Sequence, residues 1–330
     1  MSIDHGPGRR PHRGGGEELR VPPAQFRSYY GRPVVKAPVW RHDIAAYLFT
    51  GGLAAGSALL AAGGDVTGRP ALRRGGRFAA LGALGASAYF LINDLGRPAR
   101  FHHMLRVAKP TSPMSVGTWV LSAFGAAAAA AVAGEVAPWL VRRGPLRRAL
   151  AAAGRAGGLL AAVTAPPLAT YTAVLLTDTA TPSWHEAYPD LPFVFAGSAL
   201  ASGGAVGLIT APPGQARPAR RLAVAGAALE LAAARRVGSG MGLLSEPYQR
   251  GRPGRLLRAA RALNIAGVAG ALLGGRSRTL SALSGAALLG ASLATRFGVF
   301  EAGVASAQDP KYTVVPQRSR RPVADERRGP

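Results

Sequence analysis

Long uncharged stretches alternate with short charged ones along this chain. The first apolar run starts after Asp43 and reaches about Gly63, reading DIAAYLFTGGLAAGSALLAAG. Others cover about Phe78 to Asn93, Ser115 to Gly134, Ala156 to Thr177 and Phe193 to Ala211. Runs of roughly 20 apolar residues are what a helix needs to cross a bilayer core, and helices satisfy their own backbone there. Three less regular runs follow. Leu222 to Ala234 contains Glu230, Leu263 to Gly274 contains Asn264, and Thr279 to Phe300 contains Arg296 and ends at Glu301. The pattern predicts an all-α membrane protein with about eight transmembrane helices, or seven if the Leu222 to Ala234 run lies along the interface. Residues 1–40 read as a disordered basic tail, 41–302 as the integral membrane domain and 303–330 as a polar C-terminal tail.

Two local features refine the spans. Gly52 and Gly56 stand four apart in the first, a small-residue spacing that lets another helix approach closely. Pro166 and Pro167 fall inside the fourth and are expected to kink it, since neither donates a backbone hydrogen bond. An even number of spans places both termini on one face, here the first face. The connections after spans two, four and six share it. The others, including the Arg69, Arg73, Arg74 and Arg77 stretch, fall on the second face and carry mostly Arg.

Composition agrees with this reading. The chain has 330 residues, of which 48% are hydrophobic and only 17% charged, against about 25% charged in soluble domains. The net charge of +24 would suit nucleic acid, but the cations sit at helix ends, where Arg anchors and orients spans, and they do not interleave with aromatics in patches. No nucleic-acid partner is expected. Part of the Arg, Ala and Gly excess is read as compositional bias. The first 40 residues have no apolar core, so no cleaved signal peptide is expected. With no cysteine, disulfides, iron–sulfur clusters and Cys-ligated zinc are excluded from this chain. His5 and His12 are in the tail, and His42, His102, His103 and His185 lie at helix ends or in loops. None is mid-membrane, where a haem between helices would need a pair. We therefore expect no haem and no metal site.

The chemistry-bearing residues collect on the first face. They include Asp43, Asp94, Arg97, Asp178, Glu186, the four histidines, and Trp40, Trp119 and Trp184, with Tyr47 and Tyr171 one or two turns inside. An interfacial belt accounts for Trp and Tyr at that level, but not for acids and imidazoles on one face only. An apolar pocket, polar donors and titratable groups leading to water suit a lipid-soluble molecule that exchanges protons and electrons. Asp43 and Tyr47 share a helix face. Glu230 is a carboxylate inside a span, which is costly and hence a functional candidate, or else the partner of Arg235 or Arg296. Glu135 reads as interfacial and Asn264 as a helix–helix hydrogen bond.

Three ordered motifs carry a more specific signal: YLFTGGLAAGSALLAAGGDVTGRP from Tyr47, NDLGRPARFHHMLRVAKPTSPMSVGTWVL from Asn93, and YTAVLLTDTATPSWHEAYPDLPFVFAGSALASGGA from Tyr171. In this order, between spans, the chain resembles the NrfD/PsrC family, the integral membrane subunits of the polysulfide-reductase type. The likeness covers about Trp40 to Ala211. It implies eight helices in two four-helix bundles and a multi-pass subunit of the cell membrane. It also implies a menaquinone or ubiquinone site, an iron–sulfur (ferredoxin-like) subunit docked nearby, and a molybdopterin-type catalytic subunit in anaerobic respiration. By position, Asp43, Tyr47 and Tyr171 correspond to the quinone contacts; Asp and Tyr stand where the polysulfide reductases carry Asn and His. Asp94, Arg97, His102, His103 and Glu230 remain for proton relay or the docking loop. The alternatives from other classes are a proton-coupled secondary transporter, with Glu230 and the Pro166–Pro167 break marking its path, and a purely structural anchor.

Overall fold

The structure is a computed structural model and describes residues 32–275 and 277–319. The expected tail at residues 1–40 falls largely outside the described residues, as do His5, His12 and residues 320–330.

Every described regular element is helical. Proline punctuates the starts, where its fixed φ fits and its missing N–H is not needed. After α1 (His42–Val66), α2 (Pro70–Asn93), α3 (Pro113–Leu140) and α4 (Pro145–Thr177) each begin on proline. The short α5 (Pro182–Glu186) does so too, while α6 (Leu191–Thr210) and α7 (Arg217–Gly240) carry one at their second position. The described residues end with α8 (Glu246–Gln249), α9 (Gly251–Leu273), α10 (Arg278–Gln308) and α11 (Lys311–Ser319). A 3-10 turn, Pro98–Leu105, fills the connection between α2 and α3.

Neighbouring long helices form four hairpins: α1 with α2, α3 with α4, α6 with α7, and α9 with α10. Contacts of α2 with α3 and α1 with α4 close the first bundle, and those of α7 with α9 and α6 with α10 close the second. The two bundles meet along α1 and α6. Burial follows from this. Of the apolar stretches, 78% is buried in α1 and 72% in α6, against 28% in α3 and 22% in α9. The outer helices keep an apolar surface because lipid is their solvent.

Seven of the long helices are apolar enough to cross a membrane, and α7 is the eighth long helix. It does not lie flat: Gly197 of α6 meets Gly226 and Glu230, and Gly204 meets Ala219 and Ala223. The two helices therefore run antiparallel in close contact, and α7 shares the membrane orientation of α6. Glycine makes such contacts possible throughout. A Cβ on Gly56 would lie 1.8 Å from the Ala199 carbonyl oxygen, and one on Gly134 2.6 Å from the Gly154 Cα. Much of the glycine excess is thus a packing device. Lipid supplies no hydrophobic drive for helix association, so close van der Waals approach must do so.

Several boundaries differ from the apolar runs. α2 starts at Pro70, so Arg73, Arg74 and Arg77 stand on a helix, not in a loop. α9 starts at Gly251 and carries Arg252, Arg255, Arg258 and Arg261. α10 reaches Gln308, past the expected start of the polar tail, and α11 follows it. α4 runs through Pro166 and Pro167 as one helix. Hydroxyls of Thr164 and Thr170 donate to carbonyls around the prolines, at 2.8 Å to Leu160 and 3.0 Å to Pro166.

Candidate functional site

The first face is built on the Asn93–Pro98 turn. Asn93 Nδ2 donates to Asp43 Oδ2 at 3.1 Å, and the Arg41 backbone N–H donates to Asp94 Oδ1 at 3.1 Å. The end of α2 is thereby tied to the start of α1. Gly96, at φ 67°, makes the left-handed turn that a side chain would resist. Burial pushes the Asp94 carboxyl up from its ordinary range, the Arg41 N–H pulls it back, and the nearby Asp43 carboxylate pushes it up again.

The chain then exposes Arg97, Phe101, His102 and His103. The two imidazoles meet edge to face, with ring centroids 4.4 Å apart. The loop is pinned back on α3. Ser115 Oγ donates to the Val107 carbonyl at 3.0 Å and accepts from the Lys109 N–H, Ser112 caps the helix, and Trp119 Nε1 donates to Val107. The serines and the tryptophan of this motif therefore fix the loop.

Below that rim, Tyr47 is buried in an apolar cluster with Leu176, Trp184, Phe195 and Phe300, and half-buried Tyr171 packs against it. Gly117 of α3 makes room for the Tyr171 ring: a Cβ there would lie 2.1 Å from its Cε2. Asp43 and Tyr47 lie one turn apart on α1. The structure thus groups Asp43, Tyr47 and Tyr171 with Asp94 at the first-face end of the first bundle. Trp184 departs from the expected belt. It is fully buried, and its Nε1 donates to the Val299 carbonyl at 2.8 Å. The Asp178–Asp190 connection is consequently anchored in the protein by Trp184, with Thr181, Ser183 and Ala187 buried beside it, while His185 stays exposed with its Nδ1 3.0 Å from the Thr177 carbonyl. His42 lies 3.5 Å from Glu301, which also meets Arg252 at 3.3 Å.

Glu230 is elsewhere, inside the second bundle, with 2% of its surface exposed. Thr295 Oγ1 donates to its Oε1 at 2.5 Å, and the Asn264 amide lies beside it. Arg296, fully buried, donates to the Phe195 carbonyl at 2.8 Å, with its guanidinium carbon 3.6 Å above the Phe195 ring. Gly52 gives it space: a Cβ there would stand 2.9 Å from Nη2. The partnership of Glu230 with Thr295 was not legible in the sequence, since threonine inside a span carries no signal of its own.

Glu135 is buried at the second face, not merely interfacial. Arg73 Nε reaches it at 2.6 Å, Arg77 Nη1 at 3.1 Å and Arg74 Nε at 3.4 Å. Asp65 joins Arg73 and Arg77, so the cluster ties α1, α2 and α3 together. Among the described residues no three His, Cys, Asp or Glu gather as they would to hold a metal.

No curated protein matches the chain. The polysulphide reductase NrfD family matches residues 33–225, which takes in the first bundle, the first-face rim, the α1–α6 seam and the first part of α7. Among the described residues, eight long helices and the DLGRP turn that ties α2 to α1 are in place around that match. This chain belongs to the NrfD polysulphide reductase family, the multi-pass membrane subunits of polysulfide-reductase-like complexes.

Proposed function

We propose that the chain is the membrane anchor and quinone-interacting subunit of a multisubunit oxidoreductase, passing electrons between an iron–sulfur partner and the quinone pool. The observation that carries this reading is the grouping of Asp43, Tyr47 and Tyr171 beneath an exposed first-face rim, in a chain of this family.

Menaquinone or ubiquinone, when bound, supplies a couple that takes up protons along with electrons. The chain's own residues then have distinct tasks. Tyr47 and Tyr171 offer hydroxyl groups to ring oxygens within an apolar cluster, where such hydrogen bonds are stronger than in water. Asp43 is partly exposed and held by Asn93, so it can exchange a proton with the aqueous edge and face Tyr47 one turn deeper. Asp94 fixes the α1–α2 geometry. Arg97, His102 and His103 stand on the exposed loop, where a ferredoxin-like subunit serving a molybdopterin-type catalytic subunit would dock. Buried polar groups that orient a ligand oxygen are worth about tenfold or more each in affinity or rate.

The test is electron transfer to a quinol analogue in the reconstituted complex. Tyr47→Phe, Tyr171→Phe and Asp43→Asn should each slow it by about tenfold or more, with the complex still assembled. Wild-type rates in all three would remove this site. Purification of the chain alone, with no cysteine-rich subunit, would remove the redox reading altogether.

A further inference from the structure

The second bundle holds a feature that the proposed quinone contacts leave unused. Between α7 and α9 opens a cleft of about 890 Å³, within the range of sites for small molecules. Its walls are apolar, among them Val194, Leu231, Leu257 and Val299, and Ala228, Ala232 and Ile265 are exposed at its lip. The lip lies along the two spanning segments, so it faces hydrocarbon. Arg235, Arg258 and Arg261 stand at the mouth toward the first face, where their long side chains can reach lipid phosphates.

The inner end is polar. Glu230, Asn264 and Thr295 line it with exposures of 2%, 1% and 4%. Thr295 occupies one carboxylate oxygen of Glu230. The Asn264 amide leans on the same carboxyl, but neither the other oxygen, Oε2, nor the Asn264 Oδ1 has a partner within hydrogen-bond distance among the described residues; Arg296 Nε and Nη1 are also without one, yet Arg296 does not line the cleft. Two buried acceptors left open in a low-dielectric interior need an explanation, because such groups are nearly always satisfied. They call for a donor. An anionic head is disfavoured by the Glu230 carboxylate, and a cationic one by Arg296, which follows Thr295 on α10 and is itself buried. A neutral head with hydroxyl groups and an apolar body suits both the walls and the open acceptors.

We propose that the α7–α9 cleft is a second lipophile site, taking a hydroxylated aromatic ring on an apolar tail, a quinol or phenol. Its O–H groups donate to Glu230 Oε2 and Asn264 Oδ1, and its tail leaves between α7 and α9 into the bilayer. Val194 and Val299 of its wall belong to the apolar cluster that also buries Tyr47, but the polar end is formed by Glu230, Asn264 and Thr295 and does not depend on the role of Tyr47 and Tyr171.

The test measures binding of a labelled short-chain ubiquinol to the full chain in phosphatidylcholine nanodiscs. Its dimethyl ether, which keeps ring and tail but donates no hydrogen bond, is the control. Glu230→Ala should weaken one class of sites about tenfold or more. Ala232→Trp, which fills the lip and leaves the buried cluster intact, should abolish the same class; an unchanged unfolding midpoint verifies its fold. Asp43→Asn with Tyr47→Phe should leave that class unchanged. The ether should not compete for it. If quinol binding is unaffected by Ala232→Trp, or the ether binds as well as the quinol, the second site is wrong. Loss of binding only in the Asp43 and Tyr47 variants overturns the second site and leaves the first standing, and the converse overturns only the first.

Discussion

Replacing Gly56 by alanine should separate the two bundles. Gly56 is where α1 and α6 cross most closely: an added Cβ would sit 1.8 Å from the Ala199 carbonyl oxygen, and one on the facing Gly203 2.1 Å from the Gly56 oxygen. A Cβ essentially never comes within 3.0 Å of another heavy atom, so the helices must part locally by about 1.2 Å or more. Both obstacles are backbone and cannot rotate away. α1 and α6 are also the most buried helices, so a shift disturbs α4 and α10 as well. Overpacking a well-packed core costs about 1–3 kcal/mol, and this position belongs at about 3. Gly63→Ala on the same helix is the control, because a Cβ there meets nothing within 4 Å. Helix propensity should make that variant more stable by about 1 kcal/mol. The assay is thermal unfolding in detergent, followed by tryptophan fluorescence, since buried Trp184 reports on the first-face cluster. At roughly 2–4 °C per kcal/mol, Gly56→Ala should melt about 6 °C or more below wild type. If it melts within about a degree of Gly63→Ala, the close α1–α6 seam is refuted.

Three further outcomes are expected. Glu135→Gln leaves Arg73 and Arg77 with only the more exposed Asp65, at 3.5 and 3.7 Å, as a shared carboxylate; breaking a buried ion pair costs about 3–5 kcal/mol, and the partial exposure of Arg73 together with the remaining Asp65 places the loss near about 3, measured as a lowered unfolding midpoint that added salt does not restore. Trp184→Phe removes the donor to the Val299 carbonyl and should cost about 1–3 kcal/mol in the same assay, whereas Trp119→Phe, half-exposed and bonded at 3.4 Å, should cost less. Asp94 has a carboxyl raised by burial, so its stabilising protonated form is present below the usual carboxylate range and is lost as pH rises through the raised value; Asp94→Asn keeps an acceptor for the Arg41 N–H and should gain on wild type between acid and neutral pH, and a parallel pH profile for the two proteins would contradict the assignment.

The order of apolar runs by itself determined the class of fold, because a bilayer core imposes one length and one backbone solution on any spanning segment. The motifs on Tyr47, Asn93 and Tyr171 likewise pointed to the family, and the turn residues Gly96 and Pro98 to the rim. Helix boundaries were less legible. Arg73, Arg77 and Arg258 lie on helices that outlast their apolar runs, because an arginine can pair with Glu135 or reach the interface, and a hydropathy pattern registers only its charge. Tertiary structure decided the rest. Which glycines are seams, Gly56 and Gly203 against Gly63, depends on what faces them across a helix pair. Whether Trp184 floats in a belt or fills a core depends on Gly303, where a Cβ would stand 1.9 Å from the indole. Glu230, Asn264 and Thr295 come from three helices in the last third of the chain, and only packing brings them to the end of one cleft. Hydrophobicity acts on each residue's own transfer to lipid and is written along the chain. Steric fit and hydrogen bonding act between residues far apart in sequence, and exist only once the helices have met.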